Sequence, residues 1–198
     1  MADQELDKSK RRFLVAATGV AGGVATGAVA VPFVASMLPS ERAKAAGAPV
    51  EADIGALEPG QMMVVEWRGK PVWIVHRTKE MLEAVKADDE KVADPSSKRS
   101  EQPKYAANEF RAIKPEYLVV VGICTHLGCS PVDKFQPQPE PFDSDWKGGF
   151  YCPCHGSLFD LAGRVYKNKP APDNLTVPPY TFAGDTKILI GEDKNTKA

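Results

Sequence analysis

The sequence predicts an all-β head of small antiparallel sheets, carried by one N-terminal transmembrane helix. Three observations point there. A charge-free run over 13–38 follows a cluster of basic residues. Short β-branched and aromatic runs recur through the rest of the chain, punctuated by 17 prolines and 16 glycines. All four cysteines and two of the three histidines fall in two short stretches, each directly after one such run.

The totals bound the answer before any motif is read. A chain of 198 residues has room for one domain of ordinary size plus an appendage. A net charge of −1, with 26% charged residues, leaves no basic face and excludes nucleic acid as a partner class. A hydrophobic fraction of 43% supports a real core, and four cysteines are too few for a disulfide scaffold, which favours metal or redox chemistry.

Residues 1–12 are polar and end in Lys10, Arg11 and Arg12; residues 13–38 then carry no charge. As a helix those 26 residues extend about 39 Å, enough to cross a bilayer with some tilt. The basic cluster is expected to stay cytoplasmic, which puts the body of the chain on the far side. Gly19, Gly23 and Gly27 share one face on which a second helix can approach closely, and Pro32 is expected to kink the span. The stretch Ser9-Lys10-Arg11-Arg12-Phe13-Leu14 resembles a twin-arginine export signal, with Lys10 where the first arginine is usual. That route suits a domain that acquires its metal in the cytoplasm and crosses folded. A cleaved signal with small residues near Ala45 competes, but the run is long for a signal core, which favours a retained anchor. Residues 39–50 read as an exposed, weakly structured tether, and residues 51–198 as the head.

Within the head, residues 61–67 and 71–76 flank Arg68-Gly69-Lys70 and predict a hairpin turned at Gly69. His76 ends that hairpin with no cysteine or carboxylate at ligand spacing and reads as a structural histidine. Met81, Leu82 and Val85 within 79–86 predict a short amphipathic helix, and the charged, proline-containing run 88–107 a solvated loop. The apolar run 117–123 predicts a buried strand entering Cys124, and 149–151 a second strand entering Cys152. Residues 157–166 predict strand, tight turn and strand; 180–182 and 187–190 a last hairpin; 191–198 a polar tail.

Both cysteine stretches therefore sit on loops just after strands. They read Cys124-Thr125-His126-Leu127-Gly128-Cys129 and Cys152-Pro153-Cys154-His155-Gly156-Ser157. Six candidate ligands exceed the need of one metal centre. A [2Fe–2S] cluster held by two thiolates and two neutral imidazoles uses four. Because imidazole adds no negative charge, reduction is less penalised, and such centres lie at roughly −150 to +300 mV against about −400 mV for plant-type all-thiolate ones. Two cysteines remain, and in an oxidising compartment a disulfide between them would tie the loops together, contributing about 3.5 kcal/mol on a chain-entropy model. A membrane-anchored interaction protein with a structural zinc site is the alternative from another class, although zinc sites more often use C-x-x-C knuckles.

These motifs, with the anchor, the tether and Pro170-Ala171-Pro172 in order, resemble the Rieske iron–sulfur subunits of bacterial cytochrome bc1 complexes, over most of the chain. The resemblance implies a cluster-binding subdomain at about 120–172. It implies one iron on Cys124 and Cys152, the other on His126 and His155, and a Cys129–Cys154 disulfide. It implies electron transfer from quinol, bound in a cytochrome b pocket, to a cytochrome c1-type haem, coupled to proton release. His155 is the residue that would take the quinol hydrogen bond and proton; Leu127 and Gly128 would form the docking face; Pro170 and Pro172 would shield the cluster. The complex would be dimeric, in the bacterial inner membrane, with the head in the periplasm. A Rieske subunit of another periplasmic oxidoreductase, such as arsenite oxidase, is the alternative within electron transfer. Two departures stand out. Ser157 is present to hydrogen-bond a bridging sulfide, but Phe159 stands where many high-potential members carry a tyrosine that bonds a ligand sulfur, which implies a lower potential. Lys169 stands where a glycine often opens the proline loop.

Overall fold

The computed structural model describes residues 7–99 and 101–193. Residues 1–6 of the expected cytoplasmic segment and 194–198 of the expected polar tail lie outside the described residues. The chain divides into two units, Met1–Ala45 and Ala46–Ala198.

The first unit is built on α1, Lys8–Ala35. It starts before the charge-free run because Asp7 caps it, accepting the backbone N–H groups of Ser9 at 3.0 Å and Lys10 at 3.2 Å. It continues through Pro32 and ends in a turn. By length and composition it is one helix able to cross a membrane, and its apolar side chains are exposed throughout. The tether expected over 39–50 contains a short helix, α2 (Glu41–Ala46), and its last residue already belongs to a strand.

The second unit holds three antiparallel sheets of three strands each. Strands β1 (Val50–Asp53), β8 (Tyr180–Phe182) and β9 (Lys187–Ile190) form one, in the order β1-β9-β8. The expected last hairpin is there, and β1 is a partner that its alternating polar sequence did not announce. Strands β2 (Met62–Trp67), β3 (Lys70–His76) and β4 (Tyr117–Val121) form the second, in sequence order. Its first turn uses Arg68 as well as Gly69 in the left-handed region, φ 53° and 69°, which gives the twist a two-residue hairpin needs. Helix α3 (Lys79–Ala87) follows, capped by Thr78 and burying Met81 and Val85. The third sheet, β5 (Val132–Lys134), β6 (Gly149–Cys152) and β7 (Ser157–Asp160), carries the second cysteine loop at the β6–β7 turn. After β7 the expected tight turn forms, but the returning arm makes only single bridges, Val165 to Phe159 and Tyr166 to Val92.

One apolar core draws from all three sheets: Ala52, Tyr180 and Ile190; Ile74, Val119 and Val120; Phe150, Cys152 and Phe159. Trp73 of β3 stacks on Phe150 of β6 with ring centroids 4.9 Å apart, joining the second sheet to the cysteine-bearing third. Gly122 lets this happen: a Cβ there would stand 2.1 Å from the Trp73 ring. The run 88–107 is not a solvated loop. Asp88, Val92, Asp94, Ser97 and Ala106 are buried, because the segment packs under the arm that returns from β7.

Candidate metal centre

The two cysteine loops have the same construction. In each, the residue four past the first cysteine is a glycine whose N–H donates to that cysteine's carbonyl: Gly128 to Cys124 at 3.1 Å, Gly156 to Cys152 at 2.9 Å. Both glycines have left-handed φ, 84° and 78°, and a Cβ on either would meet nothing within 4 Å, so conformation rather than space requires glycine. The first loop also closes through the Cys124 N–H to the Cys129 carbonyl, 2.8 Å; the second is closed by the Cys152–Ser157 strand pair.

Cys129 and Cys154 form a disulfide that joins the loops. Cys124 and Cys152 are free and buried. The imidazoles of His126 and His155 lie edge to face with centroids 4.8 Å apart, His126 half-buried and His155 exposed. The sulfurs of Cys129, Cys152 and Cys154 all lie within 4.8 Å of one another, but two of them are spent in the disulfide. The thiolate donors left are Cys124 and Cys152. Burial pushes the Cys152 thiol up, the N–H of Cys154 donates to its sulfur and lowers it, and Cys124 beside it raises it again. Two thiolates inside and two imidazoles toward solvent are a donor set that fits an iron–sulfur cluster with mixed ligands.

A third loop is tied to both. The Ala171 N–H donates to Ser157 Oγ at 3.0 Å, and Thr125 Oγ1 donates to the Asp173 carbonyl at 2.6 Å. Pro170 and Pro172 are thereby held beside the two cysteine loops with their rings exposed. Asn168, at φ 57°, makes the bend before them, and Lys169 follows it half-buried. His76 lies outside the centre: its Nδ1–H donates to the Leu57 carbonyl at 2.7 Å and its ring stacks on Tyr117.

A family model described as the Rieske [2Fe-2S] domain matches residues 95–180. Another, described as the ubiquitinol-cytochrome C reductase Fe-S subunit TAT signal, matches residues 1–40. The ubiquinol-cytochrome c reductase iron-sulfur subunit of Allochromatium vinosum is 60% identical over 196 residues, covering 99% of this chain and 95% of that one. The chain belongs to this family of Rieske iron–sulfur subunits. The subunit of the same description from Blastochloris viridis is 44% identical, covering 96% of this chain and 98% of its own. Among solved structures, a chain of a hyperthermophilic respiratory Complex III is 27% identical with a TM-score of 0.48, covering 89% of this chain and 98% of that one.

Membership makes the cofactor a [2Fe–2S] cluster, and the export signal and single apolar helix fit a membrane-anchored Rieske subunit. The zinc and arsenite-oxidase readings are not favoured. The structure sets Cys124 beside Cys152 and His126 beside His155 on the two loops that the disulfide joins, and leaves Leu127, 71% exposed, and Gly128 at the surface. Ser157 and Phe159 are fully buried behind them.

Two sets of residues went unread in the sequence. Thr125, between two candidate ligands, is the first. The second is a group of buried arginines. Arg77 donates to the carbonyls of Pro115, Leu161 and Phe110; Arg111 to those of Ala162, Gly163 and Leu175. Arg164 pairs with Asp160 at 2.7 Å, both side chains out of solvent, and reaches Asp89 and the Val85 and Pro95 carbonyls. Together they clamp the turn that leaves β7. Asp160 and Arg164, four apart across a glycine inside an apolar stretch, were the available signal.

Proposed function

We propose that this chain is the electron-transfer subunit of a dimeric cytochrome bc1 complex, in which it oxidises quinol at a cytochrome b pocket and delivers one electron to a cytochrome c1-type haem. Cys124 and Cys152 hold one iron, and His126 and His155 the other. When bound, the cluster supplies a one-electron couple. His155, the more exposed imidazole, presents its outward nitrogen to a quinol hydroxyl and takes the proton as the electron leaves. Leu127 and Gly128 form an apolar rim that excludes water from the docked quinol, and Pro170 and Pro172 cover the remaining side. The N-terminal helix anchors the subunit in the bacterial inner membrane, with the head in the periplasm and free to move on the segment over 39–50. The observation that carries this reading is two buried free thiols and two adjacent imidazoles, one half-buried and one exposed, on loops joined by a disulfide, in a chain 99% covered by a ubiquinol-cytochrome c reductase iron-sulfur subunit.

The test is a redox titration of the purified full-length chain, followed by electron paramagnetic resonance at several pH values. A reduced-state Rieske signal is expected, with a midpoint potential that falls as pH is raised into the alkaline range. A signal-free protein, or a potential that ignores pH, overturns the reading.

A further inference from the structure

The centre contains more sulfur chemistry than electron transfer uses. Cys152 is a buried free thiol whose sulfur lies within 4.8 Å of both sulfurs of the Cys129–Cys154 disulfide. Thiol–disulfide exchange needs a thiolate, a disulfide within reach and no external oxidant. We propose that Cys152 is a latent nucleophile: when the cluster is lost, it attacks the Cys129 sulfur, moves the disulfide to Cys129–Cys152, and releases Cys154 as a free thiol. The inference rests on the assignment of Cys152 as an iron ligand.

The step balances. The Cys152–Cys129 S–S bond forms as the Cys129–Cys154 bond breaks. The electron pair leaves on the Cys154 sulfur, which takes up the proton that Cys152 gave away. Attack on Cys154 instead would close a ring across a single proline, Cys152-Pro153-Cys154, so Cys129 is the productive target. The new bridge closes a loop only two residues shorter than the 25-residue separation of the old one, and loop entropy depends on the logarithm of length, so the chain loses almost nothing by the change. Burial contributes to the direction, since the exchange turns out the cysteine that already faces solvent, Cys154, and retains the inward one. While iron holds the Cys152 thiolate its lone pair is engaged and exchange is blocked. The cluster thus protects the disulfide. A chain that loses its cluster then holds one iron ligand in a disulfide until the freed Cys154 thiol attacks back.

The experiment uses the full-length chain in detergent with its cluster intact. One sample is denatured directly in N-ethylmaleimide. A second is stripped of iron with a chelator under argon, held for hours (the span of uncatalysed disulfide rearrangement), and then treated the same way. Tandem mass spectrometry places the label. The fresh sample carries label on Cys124 and Cys152. The aged sample carries it on Cys124 and Cys154, with a Cys129–Cys152 linked peptide in most chains. Cys124→Ser, which removes an iron ligand but keeps the attacking sulfur, carries the Cys129–Cys152 bridge without any chelator; Cys152→Ser keeps Cys129–Cys154. An aged sample still labelled on Cys124 and Cys152 overturns the exchange. So does a mixture in which Cys124 also enters disulfides, which is scrambling through unfolding. A fresh sample labelled at any other pair overturns the ligand assignment itself.

Discussion

Phe159→Tyr is the substitution that reads the centre most directly. Phe159 is fully buried on β7, two residues from Ser157, so both side chains project from the same face of the sheet. Cys152 stands opposite Ser157 and Phe150 opposite Phe159 in the β6–β7 register, which puts the Phe159 ring on the side of the sheet that carries the Cys152 sulfur. A para hydroxyl added there has two fates. Donating to a ligand sulfur, it stabilises the reduced, more negative centre more than the oxidised one. A differential of about 1 kcal/mol, ordinary for one hydrogen bond, corresponds to about 40 mV for a one-electron couple. Left without a partner, the same hydroxyl costs about 1–3 kcal/mol of stability and does nothing to the potential. A redox titration and a thermal unfolding scan on one preparation separate the two. The expected result is a midpoint raised by about 40 mV with little change in unfolding temperature. An unchanged midpoint refutes the reasoning, whatever the unfolding temperature does.

Three further substitutions address the frame. Arg164→Met leaves the Asp160 carboxylate buried without its counter-charge and is expected to cost about 3–5 kcal/mol, with Asp160→Asn in the same chain recovering much of it, because Asn Oδ1 still accepts the Ala162 and Arg164 N–H groups; thermal unfolding of the single and double variants decides. Thr125→Val removes the hydroxyl that holds the Asp173 carbonyl. At about 1 kcal/mol for that bond, the Ala171 amide, which donates to Ser157 on the same loop, should exchange its hydrogen about fivefold faster, and an unchanged rate would show that the loop does not need the tie. Burial holds the Asp88 carboxyl above the usual carboxylate range, against the Tyr166 hydroxyl and Lys91, which favour its ionised form. The folded chain then binds this proton more tightly than the unfolded chain. Its contribution to stability is therefore full at low pH and lost as pH rises from about 4 through the higher folded value. The stability of the wild type relative to Asp88→Asn should fall over that window, and a difference that rises with pH would contradict the sign.

What was legible in the sequence follows from how local each signal is. The hairpin at Arg68-Gly69, the helix over Met81 and Val85, and the strands entering Cys124 and Cys152 are written in patterns a few residues long. Strand β1 and the burial of 88–107 are not. Val50–Asp53 becomes a strand because Lys187–Ile190, more than 130 residues away, lies beside it, and pairing across that separation leaves no local trace. The run from Asp88 looked solvated because charge is the ordinary mark of a surface. Here two of the charges have buried partners, Asp89 in Arg164 and Asp88 in the Tyr166 hydroxyl, and a partner is invisible until the fold supplies it.

The centre itself divides in the same way. Its candidate donors were legible because metal chemistry restricts the residue types so tightly that cysteine and histidine at short spacing point to little else. Its support was not, because a hydroxyl that ties a loop is chemically like any other. The two cysteine loops look interchangeable, each with one free thiol, one imidazole, one disulfide cysteine and one left-handed glycine. The proline loop is held from both sides, by Thr125 of the first and Ser157 of the second, so loosening either cysteine loop loosens the cover over the other. Most of the arginine clamp acts on one side, although Arg77 also holds the Pro115 carbonyl ahead of β4. The clamp grips the turn after β7, which continues the second loop, while the first loop leans on Trp73 through Gly122. The second loop is therefore held by more buried charge, and it carries His155, the more exposed of the two imidazoles. The proton acceptor proposed above thus sits on the half of the centre that more of the buried charge supports.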